Sequence, residues 1–190
     1  MAAATRHLVR ALCISTLLAL TAPAVADSYA EDRAKIEDLM GRYIFAFDWY
    51  DADAYAATFT EDGVLVWGRG ELRGRDAIRK MVQELRDAAL KRRAEDGSGL
   101  RPARGRHHIT NLVVSIDGDR AFARAYWVVF GNDNPERRAT VGAYGHYEDE
   151  LVKRDGQWLF KRREVFNEQL ERRAASDVFP LSGLPEVPRS

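Results

Sequence analysis

The sequence turns from helices to strands at Arg106-His107-His108-Ile109-Thr110-Asn111, which opens the apolar run Leu112-Val113-Val114-Ser115-Ile116. Hydrogen-bonding side chains therefore occur within a segment that otherwise has the composition of a buried β-strand. Imidazole titrates nearest neutral pH of any side chain, so a histidine held in a strand can move protons without a cofactor. Because strand side chains alternate between faces, His107 and His108 point in opposite directions.

Strand patterns continue from this stretch to residue 168. The predicted strand 107–116 is followed by a strong hairpin signal, Asp117-Gly118-Asp119. Residues 121–130 form the next strand, and residues 140–153 and 157–168 form a second hairpin closed by Asp155-Gly156. One face of the 121–130 strand carries Ala121, Ala123, Ala125 and Trp127. These segments predict a long antiparallel sheet.

Helical patterns precede the sheet. Ser28-Tyr29-Ala30-Glu31 fits a capping box, and a helix is expected from there to Asp48, with a second short helix over residues 54–59. Glu61-Asp62-Gly63 is expected to end this second helix. A short strand over 64–67 follows, then a third helix after Asp76 and a loop over 93–105. The apolar face of the first helix comprises Ile36, Leu39, Met40, Tyr43 and Phe47.

Helices followed by a long antiparallel sheet predict an α+β fold. If the sheet curves around the first helix, it forms a cone with a pocket at its open end. Residues of the helix-end turn and of the concave face of the sheet would meet in that pocket, and Asp48 lies at this helix end. The alternative is an exposed terminal aspartate, although a carboxylate there faces the negative end of the helix dipole.

The first 26 residues have the layout of a secretory signal peptide. Arg6 and Arg10 precede an apolar run over residues 11–20, and Ala24-Val25-Ala26 is a small-residue cleavage site. The expected domains are therefore the signal peptide 1–26, a single domain 27–170 and an extended tail 171–190. An uncleaved anchor is the alternative. We expect a periplasmic or secreted protein.

Charge and cysteine content exclude several classes of function. Without Arg6 and Arg10 the chain keeps 27 of its 29 basic side chains against 29 acidic ones, which gives no electrostatic footprint for nucleic acid or an anionic membrane. The single cysteine, Cys13, leaves with the signal peptide, so no disulfide, thiol nucleophile or cysteine metal site is expected.

Several motifs together resemble the SnoaL-like branch of the NTF2-like superfamily over residues 31–168. They are Phe47-Asp48, Asp51-Ala52-Asp53, Phe59-Thr60-Glu61-Asp62-Gly63, Gly74-Arg75-Asp76-Ala77-Ile78, His107-His108-Ile109-Thr110-Asn111 and Gly142-Ala143-Tyr144-Gly145-His146-Tyr147-Glu148-Asp149. The resemblance implies an NTF2-like cone. Known members include scytalone dehydratase, hydroxysteroid dehydratases, hexachlorocyclohexane dehydrochlorinase and deformylating lyases that act on lignin-derived diaryl compounds.

The resemblance also implies catalytic residues. The Asp–His pair of the dehydratase and dehydrochlorinase members falls on Asp48 and His107. Two active-site tyrosines of the dehydratase are replaced by Phe47 and Trp67, and its second catalytic histidine has no counterpart in this chain. The pair is expected to transfer protons without a metal or any other cofactor. The alternative is a structural role, in which Asp48 only satisfies the hydrogen bonding of a core histidine.

Aromatic and amide side chains are candidates for the substrate-binding wall. Together they favour an aromatic or polycyclic substrate; they are Tyr50, Trp67, Asn111, Tyr126 and Tyr147. Arg162 or Arg163 could also place a guanidinium at the cavity, or form salt bridges on the sheet. His108 and His146 are expected outside the cavity, and the three histidines after residue 26 do not have a metal-ligand spacing.

The resulting hypothesis is a cofactor-independent lyase in which His107, oriented by Asp48, removes a proton and a β-leaving group departs. That group could be water, halide, or a hydroxymethyl carbon lost as formaldehyde. Alternatives are an isomerase or epoxide hydrolase in the same pocket, or a non-catalytic small-molecule-binding protein. The resemblance also implies a homotrimer or homodimer, and outward apolar residues such as Leu159 and Val165 would allow this assembly.

Overall fold

The computed structural model of the protein describes residues 28–169. The predicted signal peptide and tail lie outside the described residues. The elements in chain order are α1 (Tyr29–Asp48), α2 (Ala52–Ala57), β1 (Phe59–Trp67), β2 (Gly70–Arg73), α3 (Arg75–Glu95), β3 (Gly105–Asp117), β4 (Arg120–Gly131), β5 (Thr140–Arg154) and β6 (Gln157–Asn167).

The six strands form one curved sheet in the order β2-β1-β6-β5-β4-β3. Neighbouring strands are antiparallel, except that β1 runs parallel to β6. The helices lie against the concave side, so the predicted α+β fold is confirmed. None of the helices within residues 28–169 is long and apolar enough to cross a membrane.

Helix α1 fills the inside of the curved sheet. Its start is fixed by the predicted capping box, in which Ser28 accepts from the Glu31 amide and Glu31 accepts from the Ser28 amide. Ile36 and Leu39 are fully buried. The helix is also tied to the sheet by a polar contact, since the indole of Trp158 donates to the buried Asp32 carboxylate at 2.8 Å. This contact fixes how α1 lies on β6, and therefore where its C-terminal end emerges.

Three element boundaries differ from the sequence prediction. The second helix runs over Ala52–Ala57 because Asp51 caps it, accepting from the Ala54 amide at 3.0 Å. Glu61-Asp62-Gly63 does not end a helix: it lies inside β1, which pairs with β6 already at Phe59. The predicted loop 93–105 shrinks to 96–104, since α3 continues to Glu95 and β3 begins at Gly105.

A β-bulge in β3 reverses the inward and outward positions of the strand. Thr110 pairs with Tyr126 and Val113 with Arg124, so β3 carries one extra residue between these pairs. Asn111 occupies the bulge with φ of 55°, a left-handed conformation that asparagine adopts more readily than most residues. His107 therefore faces the concave side before the bulge, and Leu112 and Val114 face it afterwards.

A second bulge lies in β6 at Lys161. Phe160 pairs with Leu151 and Arg162 with Glu150, so Lys161 has no partner in the ladder. The inward positions change from Trp158 and Phe160 to Arg163 and Val165 as a result. The prediction that Val165 points outward is therefore wrong.

Candidate functional site

Asp48 and His107 form a hydrogen-bonded pair where α1 ends against β3. The Nδ1 atom of His107 lies 2.6 Å from Oδ1 of Asp48, and the His107 backbone amide donates to Oδ2 at 2.9 Å. Only 7% of the Asp48 side chain and 21% of the His107 side chain are exposed. Because an ionised carboxylate can only accept, this contact indicates a proton on Nδ1 and a lone pair on Nε2.

Neighbouring groups fix the position of this pair. The guanidinium of Arg106 stacks on the indole of Trp49 at 3.6 Å and donates to the Asp48 carbonyl oxygen at 3.3 Å. The ring of Phe47 meets the imidazole edge-on, with centroids 5.2 Å apart. Both carboxylate oxygens of Asp48 accept hydrogen bonds from His107, and Phe47 packs against the imidazole ring. These contacts fix the direction in which the free Nε2 atom points.

The imidazole lies in the wall of a cavity of about 360 Å³ inside the cone. The cavity is enclosed by α1 and the concave faces of the strands, and its walls are mostly apolar and aromatic. They include Phe47, Leu65, Trp67, Trp127, Val129 and Val165. This volume and lining suit one or two aromatic rings.

Three buried tyrosines, which we call the tyrosine cluster, also line the cavity: Tyr43, Tyr55 and Tyr147. The Tyr55 hydroxyl donates to the Tyr43 oxygen at 2.8 Å. With its oxygen accepting from Tyr55, Tyr43 keeps its own O–H hydrogen for another acceptor. Burial raises the pKa of all three phenols above the ordinary value, so they are neutral donors at physiological pH.

A fully buried ion pair lies beneath the tyrosine cluster. Arg163 donates from Nε and Nη2 to the two carboxylate oxygens of Asp149, both at 2.7 Å. The Arg163 guanidinium lies 4.1 Å from the ring centroids of both Tyr43 and Tyr147. Burial disfavours its charge, but the Asp149 carboxylate outweighs that penalty and raises the pKa of Arg163. Of the two alternatives predicted for Arg163, salt bridging on the sheet is confirmed.

The structure brings together only part of the predicted substrate-binding wall. Trp67 and Tyr147 line the cavity, whereas Tyr50 lines a neighbouring groove. The prediction is wrong for Tyr126, which is 50% exposed on the outer face opposite His146. It is also wrong for Asn111, because the bulge that it occupies places it away from the cavity.

Sequence reasoning missed two of the cavity tyrosines. Helical spacing places Tyr43 only on the apolar face of the first helix, and no motif around Tyr55 marks it as a cavity residue. Tyr43 and Tyr55 are twelve residues apart and lie on two different helices. The sequence therefore does not indicate that their hydroxyls are hydrogen-bonded. The signal that could have indicated a cavity was the excess of aromatic residues on inward positions, including Trp127.

The other two described histidines lie outside the cavity, as predicted. His108 is exposed and contacts Phe130 edge-on, and the buried His146 stacks on Phe166 at 4.5 Å on the outer face of the sheet. Within residues 28–169 there is no group of three or more histidine, cysteine, aspartate or glutamate side chains that could hold a metal ion.

Comparisons with known proteins identify the family and the fold. A family model described as a SnoaL-like domain matches residues 28–164. A provisionally assigned scytalone dehydratase from Novosphingobium aromaticivorans is 28% identical, with a TM-score of 0.56 over 72% of this chain and 83% of that one. An NTF2-like protein with a cystatin-like fold from the same species is 25% identical, with a TM-score of 0.61 over 79% and 91%.

A third similar structure holds a ligand. It is a protein from Catenulispora acidiphila in complex with S-DNPA, 29% identical, with a TM-score of 0.58 over 74% of this chain and 96% of that one. No curated protein matches the sequence. The resemblance drawn from the motifs, and the NTF2-like cone that it implied, are confirmed.

Proposed function

Since the chain belongs to the SnoaL-like domain family, we propose that it is a cofactor-independent lyase acting on a hydrophobic aromatic or polycyclic small molecule. One observation carries this function: the Asp48–His107 pair, joined at 2.6 Å, lies in the wall of an aromatic cavity. Similarity to a provisionally assigned scytalone dehydratase and to a ligand-bound relative supports it.

His107 acts as the general base through Nε2. When Nε2 takes a proton, the ionised Asp48 carboxylate stabilises the resulting imidazolium and keeps its orientation. General acid–base help of this kind contributes about 100- to 10,000-fold in rate. Tyr43 supplies the complementary group, because its free O–H hydrogen can be donated to a carbonyl, alkoxide or leaving-group oxygen in the cavity.

Two versions of the elimination use this arrangement. In the first, His107 removes a proton from carbon, a double bond forms and a β-substituent leaves as water or halide. In the second, His107 removes the proton of a hydroxymethyl group, the adjacent C–C bond breaks and formaldehyde departs. The electron pair of that C–C bond then forms the alkene and expels a β-hydroxyl as water, with a proton supplied from the cavity.

The test is turnover by His107→Ala and Asp48→Asn on a substrate found by screening β-hydroxylated diaryl and polycyclic compounds. Both variants should lose about 100-fold or more. His108→Ala is the matched control, since this neighbouring imidazole lies on the opposite face and its loss should leave turnover unchanged. If both His107→Ala and Asp48→Asn keep the wild-type turnover, the assignment of this pair as catalytic is wrong.

One observation favours a second enzyme class. A base and a neutral tyrosine donor that line the same cavity can also isomerise an unsaturated ketone, with Tyr43 stabilising the enolate. Product mass separates the two reactions, because isomerisation leaves the mass unchanged whereas elimination removes water, halide or formaldehyde. Ligand-induced thermal stabilisation without any product would instead indicate a binding protein.

We also propose a periplasmic or secreted location and self-association as a homodimer or homotrimer. The outer face of the sheet supports the second point, because it exposes a group of large apolar side chains: Val113, Phe122, Tyr126, Phe130, Val141 and Tyr144. Light scattering after size exclusion measures the subunit number, and N-terminal sequencing of the exported protein checks cleavage after Ala26.

A further inference from the structure

A second, larger recess adjoins the aromatic cavity on the other side of the catalytic pair. This recess, which we call the outer groove, has a volume of about 700 Å³ and runs between the end of α3, the 96–104 loop and the loop after β4. Phe47, His107 and Val129 line both the cavity and the outer groove. The His107 imidazole therefore lies at the boundary between the aromatic cavity and the outer groove.

The outer groove is strongly basic. Its walls carry three acidic side chains, Asp48, Asp96 and Asp133, against six arginines, an excess of three positive charges. The arginines come from three separate parts of the fold, namely α3, the 104–106 segment and the loop after β4. They are Arg86, Arg92, Arg93, Arg104, Arg106 and Arg137.

These arginines are not equally engaged within the protein. Arg137 is neutralised by Asp96 at 2.8 Å and Asp133 at 3.2 Å, and Arg106 is held on Trp49. Arg92, Arg93 and Arg104 are exposed, and within residues 28–169 none of them has an ion-pair partner. Two of them lie in the last turn of α3, where they also offset the helix dipole. Arg104 lines the same groove from a different segment, so the helix dipole does not explain its position.

We infer that the substrate has two parts: an apolar aromatic part that occupies the inner cavity, and an anionic carboxylate-like group bound by Arg92, Arg93 and Arg104 in the outer groove. This placement puts the bond between the two parts beside Nε2 of His107. The inference deepens the proposed function and rests on it for the chemistry, but the binding geometry can be measured separately. Guanidinium groups suit such an anion because they donate in a planar fork.

Two fluorescent probes that differ in one group test this arrangement. They are 8-anilinonaphthalene-1-sulfonate and its uncharged counterpart N-phenyl-1-naphthylamine, titrated into the purified protein. We expect the anionic probe to bind more tightly, with an affinity that falls as ionic strength rises, whereas the neutral probe shows little salt dependence.

Matched variants then locate the two halves of the probe. The triple variant R92Q/R93Q/R104Q should weaken binding of the anionic probe about tenfold and leave the neutral probe unchanged. The control triple R73Q/R120Q/R154Q removes the same charge from positions away from both compartments and should change neither. Ala143→Phe, which narrows the inner cavity, should weaken both probes.

Equal binding of the two probes by the wild type would overturn the inference, as would tight binding of the anionic probe by R92Q/R93Q/R104Q. Unchanged binding of both probes by Ala143→Phe would also overturn it. Because no turnover is measured, these failures are distinct from a failure of the lyase assignment, which the His107→Ala and Asp48→Asn variants test by themselves.

Discussion

Replacing Arg163 by methionine should destabilise the fold more than any surface change. Both side chains of the Arg163–Asp149 pair are completely buried, and two parallel hydrogen bonds of 2.7 Å join them. Arg163→Met leaves the Asp149 carboxylate without its partner in the core. Breaking a buried pair in this way costs about 3–5 kcal/mol. That is a large part of the roughly 5–15 kcal/mol by which a domain is stable.

The assay is urea unfolding followed by far-UV circular dichroism. With a slope of about 2 kcal/mol per M, the midpoint should fall by roughly 2 M. Arg162→Met is the matched control. Its guanidinium is 32% exposed and pairs with Glu71 and Glu164 at the rim, so losing it should cost less than about 1 kcal/mol.

The double variant Asp149→Leu/Arg163→Met completes the cycle. Because both charges are removed and apolar groups of similar size replace them, it should be more stable than Arg163→Met alone. If the unfolding free-energy changes of Arg163→Met and of Asp149→Leu simply add in the double variant, the two residues are not a coupled buried pair and the reasoning fails. The same conclusion follows if Arg163→Met behaves like Arg162→Met.

Three further predictions concern the site and the sheet. Asp48→Asn should switch His107 to the Nε2–H tautomer, because the new amide can keep both hydrogen bonds only by donating to Nδ1. The ¹⁵N chemical shifts of the histidine ring report the tautomer, and an unchanged tautomer would contradict the prediction. Burial raises the pKa of the tyrosine cluster, so the stability it contributes is complete below about pH 10 and is lost as pH rises through the folded-state pKa values. Absorbance at alkaline pH should then show three of the seven tyrosines ionising only on unfolding, and seven independent titrations would refute this. Gly145→Ala should cost about 3 kcal/mol, since a Cβ there would lie 1.9 Å from the Phe166 carbonyl oxygen, whereas Gly41→Ala meets open space and should not destabilise; equal melting temperatures would contradict the contact.

The order of the main elements and the α+β class follow from local sequence patterns, and the candidate pair follows once the family resemblance is added to them. Its hairpin signals and strand alternation are local, and β3, β4, β5 and β6 appear where those signals place them. Asp48 and His107 could be named because each stands at a marked position, the end of a helix and the start of a strand. Their separation along the chain is 59 residues, so only the resemblance to a family could suggest that they meet.

Which side chains face the cavity depends on tertiary structure. Alternation assigns faces correctly until a bulge inserts one residue, after which every later position is reversed. Bulges at Asn111 and Lys161 depend on pairing with neighbouring strands, which local sequence does not encode. For that reason alternation alone predicts the wrong face for Val165. The contacts between Tyr43 and Tyr55, and the meeting of the aromatic cavity with the arginine-lined outer groove at His107, likewise arise from packing between elements distant in sequence.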